Sequence, residues 1–446
     1  MTPRPLSERL SGWGRYPART GAAVHPVDQQ TLIGAADASM QAIARGNGRS
    51  YGDAAIGGEL TIHADRLDRL LAFDADSGLL VCEAGTMLAD IIDVLLPRGW
   101  IVPVTPGTRF VTIGGMIAAD VHGKNHHLAG SFGDHVEWID LAIGDGSLRR
   151  CSTRNQPDLF AATVGGMGLT GIIVRAAVRM KRVATGMIRQ RTIRAPDLQS
   201  AITALESNLD WTYSVAWIDC LARGADLGRS VIFLGEHAEV DDLLAADRAD
   251  PLRRQPRRAL RVPVDFPALA LSPLIVRTFN RCYYTSQRDG DAIIPLEPYF
   301  YPLDAILSWN RVYGRRGFVQ YQCVLPLEAS EEGLRALLKE IADLGTGSFL
   351  AVLKRMGKES FGLLSFPREG YTLALDFPVT ESNLALLDRL DRITAAHGGR
   401  IYLAKDARAK PDFANGYSRL PGFRALRDAY GMTFRFASQL SRRLEI

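Results

Sequence analysis

A chain of 446 residues, 47% hydrophobic and 23% charged, has room for two domains or one domain with a large insertion, and is apolar enough to bury a sizeable core. A net charge of +4 is too small to argue for a nucleic-acid partner, and no run reaches the roughly 18–20 apolar residues that cross a bilayer. The N-terminus lacks the basic-then-apolar pattern of a secretory signal. Cys82, Cys151, Cys220, Cys282 and Cys323 are scattered with no CxxC or zinc spacing, so a reduced cytoplasm with thiols as core residues is expected.

Met1 to Ala23 is polar and punctuated by Gly and Pro, and reads as an irregular arm that Trp13 pins down. Gln41–Ala44 runs as a short strand into a glycine turn, Arg45-Gly46-Asn47-Gly48-Arg49-Ser50-Tyr51-Gly52-Asp53. Leu79–Ala84 is a buried strand by its apolar run. From Met87 to Leu96 the residues Leu88, Ile91, Ile92, Leu95 and Leu96 recur at helical spacing, and Pro97 and Gly99 stop the helix. Trp100–Val104 resumes as strand. Val104 to Val136 then combines many glycines with four of the eight histidines. Small residues let backbone approach backbone or ligand, and bare N–H groups suit phosphate oxygens, so this stretch reads as one wall of a large cofactor site. Val136–Ile143 and Leu148–Cys151 form a hairpin around Asp145-Gly146. A third glycine cluster, Val164 to Gly171, leads into another strand.

Beyond about Val183 the pattern changes. Tyr213–Ile218, Val231–Leu234, Phe318–Leu325, Phe349–Lys354 and Tyr371–Phe377 read as strands with long connections. In the third, Val319, Tyr321, Cys323 and Leu325 share an apolar face fit to pack on helices. Phe318, Gln320, Gln322 and Val324 share the other face, whose two amides could cover a polar site. In the fifth, Leu373 and Leu375 alternate with Thr372, Ala374 and Asp376. Two long connections stand out: Arg248–Val276, with Arg253, Arg254, Arg257, Arg258 and Arg261 ahead of an apolar run, and the Pro-rich Asp289–Tyr301. A helix over Asn383–Ala396 ends at Gly398-Gly399. Ile401–Asp406 reads as a strand edge carrying Lys405, and the last forty residues as mostly helical.

The glycine turns narrow the chemistry. Gly46-x-Gly48-x-x-x-Gly52 has the wrong spacing for a nicotinamide Rossmann turn, and there is neither a GxxxxGK[ST] phosphate loop nor a GxSxG elbow. His122, His126, His127 and His135 lack a carboxylate pair, and no metal site is expected. Three glycine turns in one half imply a ligand longer than a mononucleotide; a dinucleotide held between two lobes fits.

The stretches 44–53 (ARGNGRSYGD), 103–136, 162–173 (ATVGGMGLTGII), 309–322, 375–378 (LDFP), 398–408 (GGRIYLAKDAR) and 434–445 carry a resemblance. The chain resembles the FAD-binding oxidoreductases of the vanillyl-alcohol oxidase (PCMH) type, and within them the flavin subunits of decaprenylphosphoryl-ribose 2′-epimerases. The resemblance implies an α+β flavin oxidase of two domains. A discontinuous FAD-binding domain would comprise residues 1–184 and 400–446, and an inserted antiparallel-sheet domain, residues 185–399, would bind substrate. It implies FAD contacts at Ala44, Arg45, Gly46, Asn47, Gly48, Arg49, Ser50, Tyr51, Gly52, Asp53 and Ala54, then at Gly107, Thr108, Thr112, Ile113, Gly114 and Gly115. Further contacts fall at Ala119, Asp120, Val121, His122, Gly123, Ile173 and Tyr402. Many relatives tether the flavin to a histidine in the first turn; the aligned Arg49 cannot form that bond, so the FAD is expected to be non-covalent.

Lys405, His122 and Tyr51 match active-site positions, with Lys405 the expected handler of the substrate hydroxyl. Gln320, Gln322, Lys354, Thr372, Ala374 and Lys405 match the substrate side, Lys354 facing a substrate phosphate. Thr372, Ala374 and Met356 depart from the asparagine, cysteine and aromatic residue of relatives. The implied reaction is oxidation of the 2′-hydroxyl of a polyprenylphosphoryl pentose to a keto-sugar, followed by reduction by an NAD(P)H-dependent reductase. That is a net epimerisation serving arabinose supply for the cell wall. The implied location is the cytoplasm, with peripheral contact at the inner face of the plasma membrane through the arginine-rich connection. Two other readings stay open: a soluble alditol or sugar-lactone oxidase, and a silent FAD-fold scaffold.

Overall fold

The structure, a computed structural model, describes residues 4–39, 41–254, 259–414 and 416–446. Arg257 and Arg258 of the arginine-rich connection lie outside the described residues. Three sheets organise the chain, and helices and glycine turns between them build the site.

The first sheet holds β1 (Leu6–Ser11), β2 (Ala18–Val24), β3 (Ala42–Arg45) and β4 (Leu60–His63) in the order β1-β2-β4-β3. The N-terminal arm is therefore not irregular: Leu6 lies opposite Ala23, and β2 continues parallel to β4. Of the β1 side chains only Leu10 is buried, so the apolar alternation that betrays a half-buried strand is missing, and backbone pairing defines it. Trp13, in the turn of this hairpin, is pinned as expected. Its N–H donates to the Ser50 carbonyl (2.7 Å), and its own carbonyl accepts from Asn310 Nδ2 (3.1 Å).

The second sheet is antiparallel: β5 (Leu70–Asp74), β6 (Leu79–Glu83), β7 (Val136–Ala142), β8 (Leu148–Cys151) and β9 (Ile172–Arg179), ordered β5-β6-β9-β7-β8. The expected hairpin around Asp145-Gly146 is β7–β8, with Gly146 in the left-handed region at φ 75°. Helix α1 (Leu88–Leu95) buries Leu88, Ile91, Ile92 and Leu95, each worth about 1.5–3 kcal/mol of transfer free energy. Gly99 closes its end at φ 81°. The strand expected over Trp100–Val104 is only Trp100–Ile101, because Pro103 has no N–H to extend a ladder.

The third sheet has eight strands. They are β10 (Met187–Ala195), β11 (Tyr213–Ile218), β12 (Ser230–His237), β13 (Gly290–Pro295), β14 (Phe318–Pro326), β15 (Ala351–Met356), β16 (Gly370–Pro378) and β17 (Arg400–Ile401). Their order is β13-β10-β12-β11-β15-β16-β14-β17, all antiparallel. Two were not legible as strands. In β10, Arg189, Arg191 and Arg194 dilute the alternation. β13 is a mostly exposed edge inside the connection expected at Asp289–Tyr301. Helices α2 (Ser330–Leu344) and α3 (Glu381–Ala396) cover one face, packing Leu334, Leu337, Leu338, Leu386, Leu387 and Leu390 against Val319, Tyr321, Cys323 and Leu325. The opposite face is left for the site. The expected strand edge over Ile401–Asp406 stops at Ile401. Tyr402 N–H donates to the Gln322 carbonyl (2.9 Å), and the chain then turns, with Lys405 N–H donating back to the Tyr402 carbonyl (2.9 Å).

Candidate active site

Strand register brings the polar face of the third sheet together. Gln320 lies opposite Asp376, Gln322 opposite Ala374, Val352 opposite Ala374, and Lys354 opposite Thr372. These strands form one wall of a cavity of about 590 Å³, a size ordinary for cofactor and substrate sites. The glycine turns form the other wall.

The turn after β3 leads there because its neighbours leave no room for side chains. A Cβ on Gly46 would sit 2.2 Å from Thr112 Oγ1, and one on Gly52 would sit 1.9 Å from the Asp406 carbonyl. Gly48 adopts φ 61°, which favours glycine. Among the described residues, the backbone N–H groups of Asn47, Gly48, Arg49 and Ser50 donate to no group of the chain. Four successive free N–H groups beside a cavity fit the anionic oxygens of a pyrophosphate. The residue set therefore suits an FAD.

Of the expected cofactor residues, Ala44, Gly46, Asn47, Gly48, Arg49, Ser50, Tyr51, Ala54, Gly107, Thr108, Thr112, Gly114, Gly115, Ala119, Val121, His122, Gly123, Ile173 and Tyr402 line the cavity. Five do not, and each has another task. Arg45 donates to the carbonyls of Ser11 (2.7 Å) and Ala55 (3.3 Å). Gly52 packs on Asp406, and Asp53 pairs with Arg443 (2.8 Å). Ile113 is buried in the hydrophobic core. Asp120 accepts from Gly133 N–H (2.9 Å) and Ser365 Oγ (2.6 Å).

On the substrate side, Gln320, Gln322, Lys354, Ala374 and Lys405 line the cavity, whereas Thr372 stands behind Gln322 as its acceptor (3.2 Å). Met356 is fully buried in the core, so of the three departures from the family pattern only Ala374 forms part of the wall.

The side chains around the expected catalytic residues are tightly arranged. Lys405 Nζ lies over the Tyr51 ring at 3.8 Å, and Tyr51 N–H donates to the Ala404 carbonyl (3.0 Å). Burial pushes the Lys405 ammonium well down toward neutrality, with the Asp376 carboxylate opposing; burial pushes Asp376 up. Gln320 Nε2 donates to Asp376 Oδ1 (2.6 Å). Gln322 Nε2 donates to His122 Nε2 (3.0 Å). Burial and the Lys354 charge hold His122 neutral, well below its usual range; with Gln322 Nε2 as the donor to Nε2, its proton sits on Nδ1, a buried atom with no hydrogen-bond partner among the described residues. The ring is flanked by Phe366 (5.4 Å) and Tyr402 (5.2 Å).

Reading the sequence missed Lys124, Asp376, Trp217, Asp304 and Trp13 as cavity residues. Lys124 lies over the Tyr299 ring at 4.1 Å and donates to the Tyr299 carbonyl. Burial lowers Lys124 to about 7 and Lys354 to about 8. Asp376 had a visible signal, since it shares the strand face of Ala374; Lys124 had none beyond its place in the glycine-rich stretch. Among the described residues, the one metal-like cluster is Glu8, His25 and His63, far in sequence from these residues and joined by a Glu8–His25 hydrogen bond of 2.7 Å.

Residues 23–152 match a family described as an FAD binding domain. The chain is 36% identical to decaprenylphosphoryl-beta-D-ribose oxidase of Mycolicibacterium smegmatis, covering 99% of this chain and 98% of that one. It belongs to the FAD-binding oxidase family. It is also 37% identical to an uncharacterised protein of Streptomyces coelicolor over 79% of this chain and 98% of that one. A xylooligosaccharide oxidase of Thermothelomyces thermophilus is 30% identical over 47% of this chain and 39% of its own. This flavoprotein is thus an FAD-dependent oxidoreductase. Arg49 stands over the Trp13 ring at 4.0 Å and 5.3 Å from the centre of the Phe110 ring, as part of that cavity wall.

Proposed function

We propose that the flavoprotein oxidises the 2′-hydroxyl of a polyprenylphosphoryl pentose to a keto-sugar. The observation that carries this reading is the company of Lys124, Lys354 and Lys405 in one largely apolar cavity, where no carboxylate forms an ion pair with them among the described residues. Such a set suits an anionic sugar phosphate better than a neutral polyol. The full-length likeness to a protein named for decaprenylphosphoryl-ribose supports the same class.

In this reading the chain works as two domains, residues 1–184 with 400–446 for FAD and residues 185–399 for substrate. Bound FAD, held without a covalent link, supplies the hydride-accepting chemistry. Asn47 to Ser50 hold its pyrophosphate by their N–H groups. Lys405, uncharged in a fraction set by burial, takes the hydroxyl proton, and Tyr51 fixes its ammonium end. The His122 Nδ1–H donates to a substrate oxygen, and Gln322 keeps that tautomer. Gln320 and Gln322 orient the ring, while Lys354 and Lys124 bind the phosphate. A separate nicotinamide-dependent reductase would then return the ketone to the opposite configuration, at the inner face of the plasma membrane.

The test is an anaerobic visible spectrum before and after adding a short-chain polyprenylphosphoryl ribose. Bleaching of the flavin is the expected result. Bleaching by alditols or sugar lactones instead would favour the second reading, which the xylooligosaccharide oxidase match keeps in view. A protein that takes up no FAD would be a scaffold.

A further inference from the structure

We propose that the surface formed by residues 260–279 docks on an anionic lipid leaflet; this rests on the reading of the substrate as lipid-linked. Large apolar side chains crowd there. Leu260, Leu269 and Leu274 are 71%, 73% and 75% exposed, and Val264, Phe266 and Ile275 are exposed with them. Single exposed leucines are ordinary, but a contiguous set is the mark of an interaction surface.

The backbone ties these segments together. Leu260–Arg261 pairs in parallel with Ile306–Leu307, and Phe266 N–H donates to the Arg311 carbonyl (2.9 Å). Helix Pro273–Ser286 then carries the surface onward. Of its side chains only Val276 and Asn280 are buried, and Asn280 Nδ2 donates to Asp219 Oδ1 (2.8 Å). A narrow inward stripe with a polar anchor, and Leu274 and Ile275 turned outward, is the reverse of a helix patterned to face water.

Charge selects the partner. Arg261, Arg277, Arg281, Arg315 and Arg316 are exposed around these apolar residues, and none forms an ion pair among the described residues. The single acid of residues 260–279, Asp265, is already paired with Arg15 (2.6 Å). Arg254 takes no part, since it bonds Glu297 (2.8 Å) and Asp93. Apolar side chains ringed by free arginines match the interface of an anionic bilayer rather than its interior. No helix among the described residues is long and apolar enough to cross a membrane. The same helix sends Phe279 and Tyr283 into the cavity wall, so a lipid tail could pass from the leaflet to the site without crossing water.

The experiment is flotation of the flavin-loaded protein with phosphatidylcholine vesicles, with and without phosphatidylglycerol. Flotation with the anionic vesicles only, weakening as salt rises, is expected. The variants Leu269→Glu/Leu274→Glu and Arg277→Glu/Arg281→Glu should each lower partitioning by at least about tenfold. Both should keep the flavin spectrum, the thermal midpoint and bleaching by a short-chain donor dispersed in water. Failure of the parent protein to float, flotation indifferent to lipid charge, or variants that float as well as the parent would overturn the proposal. So would a dimer in solution that Leu269→Glu/Leu274→Glu converts to monomer, since the face would then belong to a second copy. If anionic vesicles bind but no polyprenylphosphoryl sugar bleaches the flavin, docking stands and the substrate reading fails.

Discussion

Gly46→Ala is the sharpest perturbation of the cofactor wall. The new Cβ would meet Thr112 Oγ1 at 2.2 Å and Thr112 Cβ at 3.2 Å. Ordinary contact needs about 3.5 Å, so one of the two segments must shift by roughly 1 Å. Thr112 cannot yield freely, because it caps helix Ile113–Ala118 by accepting Gly115 N–H (3.3 Å). Losing that cap costs about 1 kcal/mol. Overpacking adds about 1–3 kcal/mol. Together they predict about 2–4 kcal/mol, or roughly 30- to 1,000-fold weaker flavin binding if the loss falls wholly on the turn. Flavin fluorescence titration reads that part, and the thermal midpoint of the loaded protein reads any share that falls on the fold. Thr112→Ala removes Oγ1, the atom of closest approach, and costs only the cap. The double variant should therefore be better than Gly46→Ala alone, with a coupling of about 1–3 kcal/mol. A double variant as poor as the sum of the two singles would show that Thr112 is not what keeps residue 46 a glycine, and the account of this wall would fail.

Lys405 gives a pH signature: burial lowers its proton affinity, so the rate of anaerobic flavin reduction should rise with pH through the neutral range as the free amine forms. Lys405→Met should abolish that limb and Asp376→Asn, which removes the charge holding the proton on, should move it to lower pH; an unchanged profile in both would exclude Lys405 as the proton acceptor. Lys124 and Lys354 are depressed from 10.5 to about 7 and about 8. The unfolded chain therefore holds more protons than the folded one between those values and 10.5, and stability of the ligand-free protein should rise with pH across that window. Thermal midpoints of Lys124→Met/Lys354→Met should show a flatter rise, and inorganic phosphate at neutral pH should raise the midpoint of the parent but not of this variant. Finally, Arg49 offers no bond to carbon, so acid precipitation should leave all of the yellow colour in the supernatant; colour in the pellet would contradict a dissociable FAD.

The parts of the site legible in the sequence are those where backbone must approach something. Gly46, Gly48 and Gly52 advertise themselves because no other residue fits against Thr112 or Asp406, or adopts φ 61° at position 48. Strand β14 was legible for a different reason: its apolar face packs on two helices, so the period-2 pattern of Val319 to Leu325 survives, and Gln320 and Gln322 fall by elimination on the cavity side. Where neither constraint acts, the sequence was silent. Strands β1 and β13 are held largely by backbone pairing, with Leu10 the one buried side chain of β1 and none buried in β13, and nothing in their side-chain pattern reports a strand. Lys124 looks like any surface lysine until Tyr299, 175 residues away, closes over it.

The same logic explains the order in which the site is secured. The glycine turns are bound into the fold by contacts that do not involve the cavity: Arg45 to Ser11 and Ala55, Asp53 to Arg443, Asp120 to Gly133 and Ser365. Residues expected to touch the cofactor instead hold the loop that lines the cavity, and the N–H groups of Asn47 to Ser50 are left without partners among the described residues. Among the described residues Lys354 has no such partner, and Lys124 has only the carbonyl and ring of Tyr299, neither of them a counter-charge. Their charge is unfavourable until an anion arrives, so the binding free energy of a phosphate is concentrated on these lysines. A neutral sugar of the same shape would leave Lys124 and Lys354 uncompensated. Its affinity should therefore fall least at high pH, where both amines are already uncharged, and most near neutrality. The ratio of KM values for a phosphorylated and a neutral donor, measured across that range, should shrink as pH rises; a constant ratio would mean that the cations do not choose the substrate.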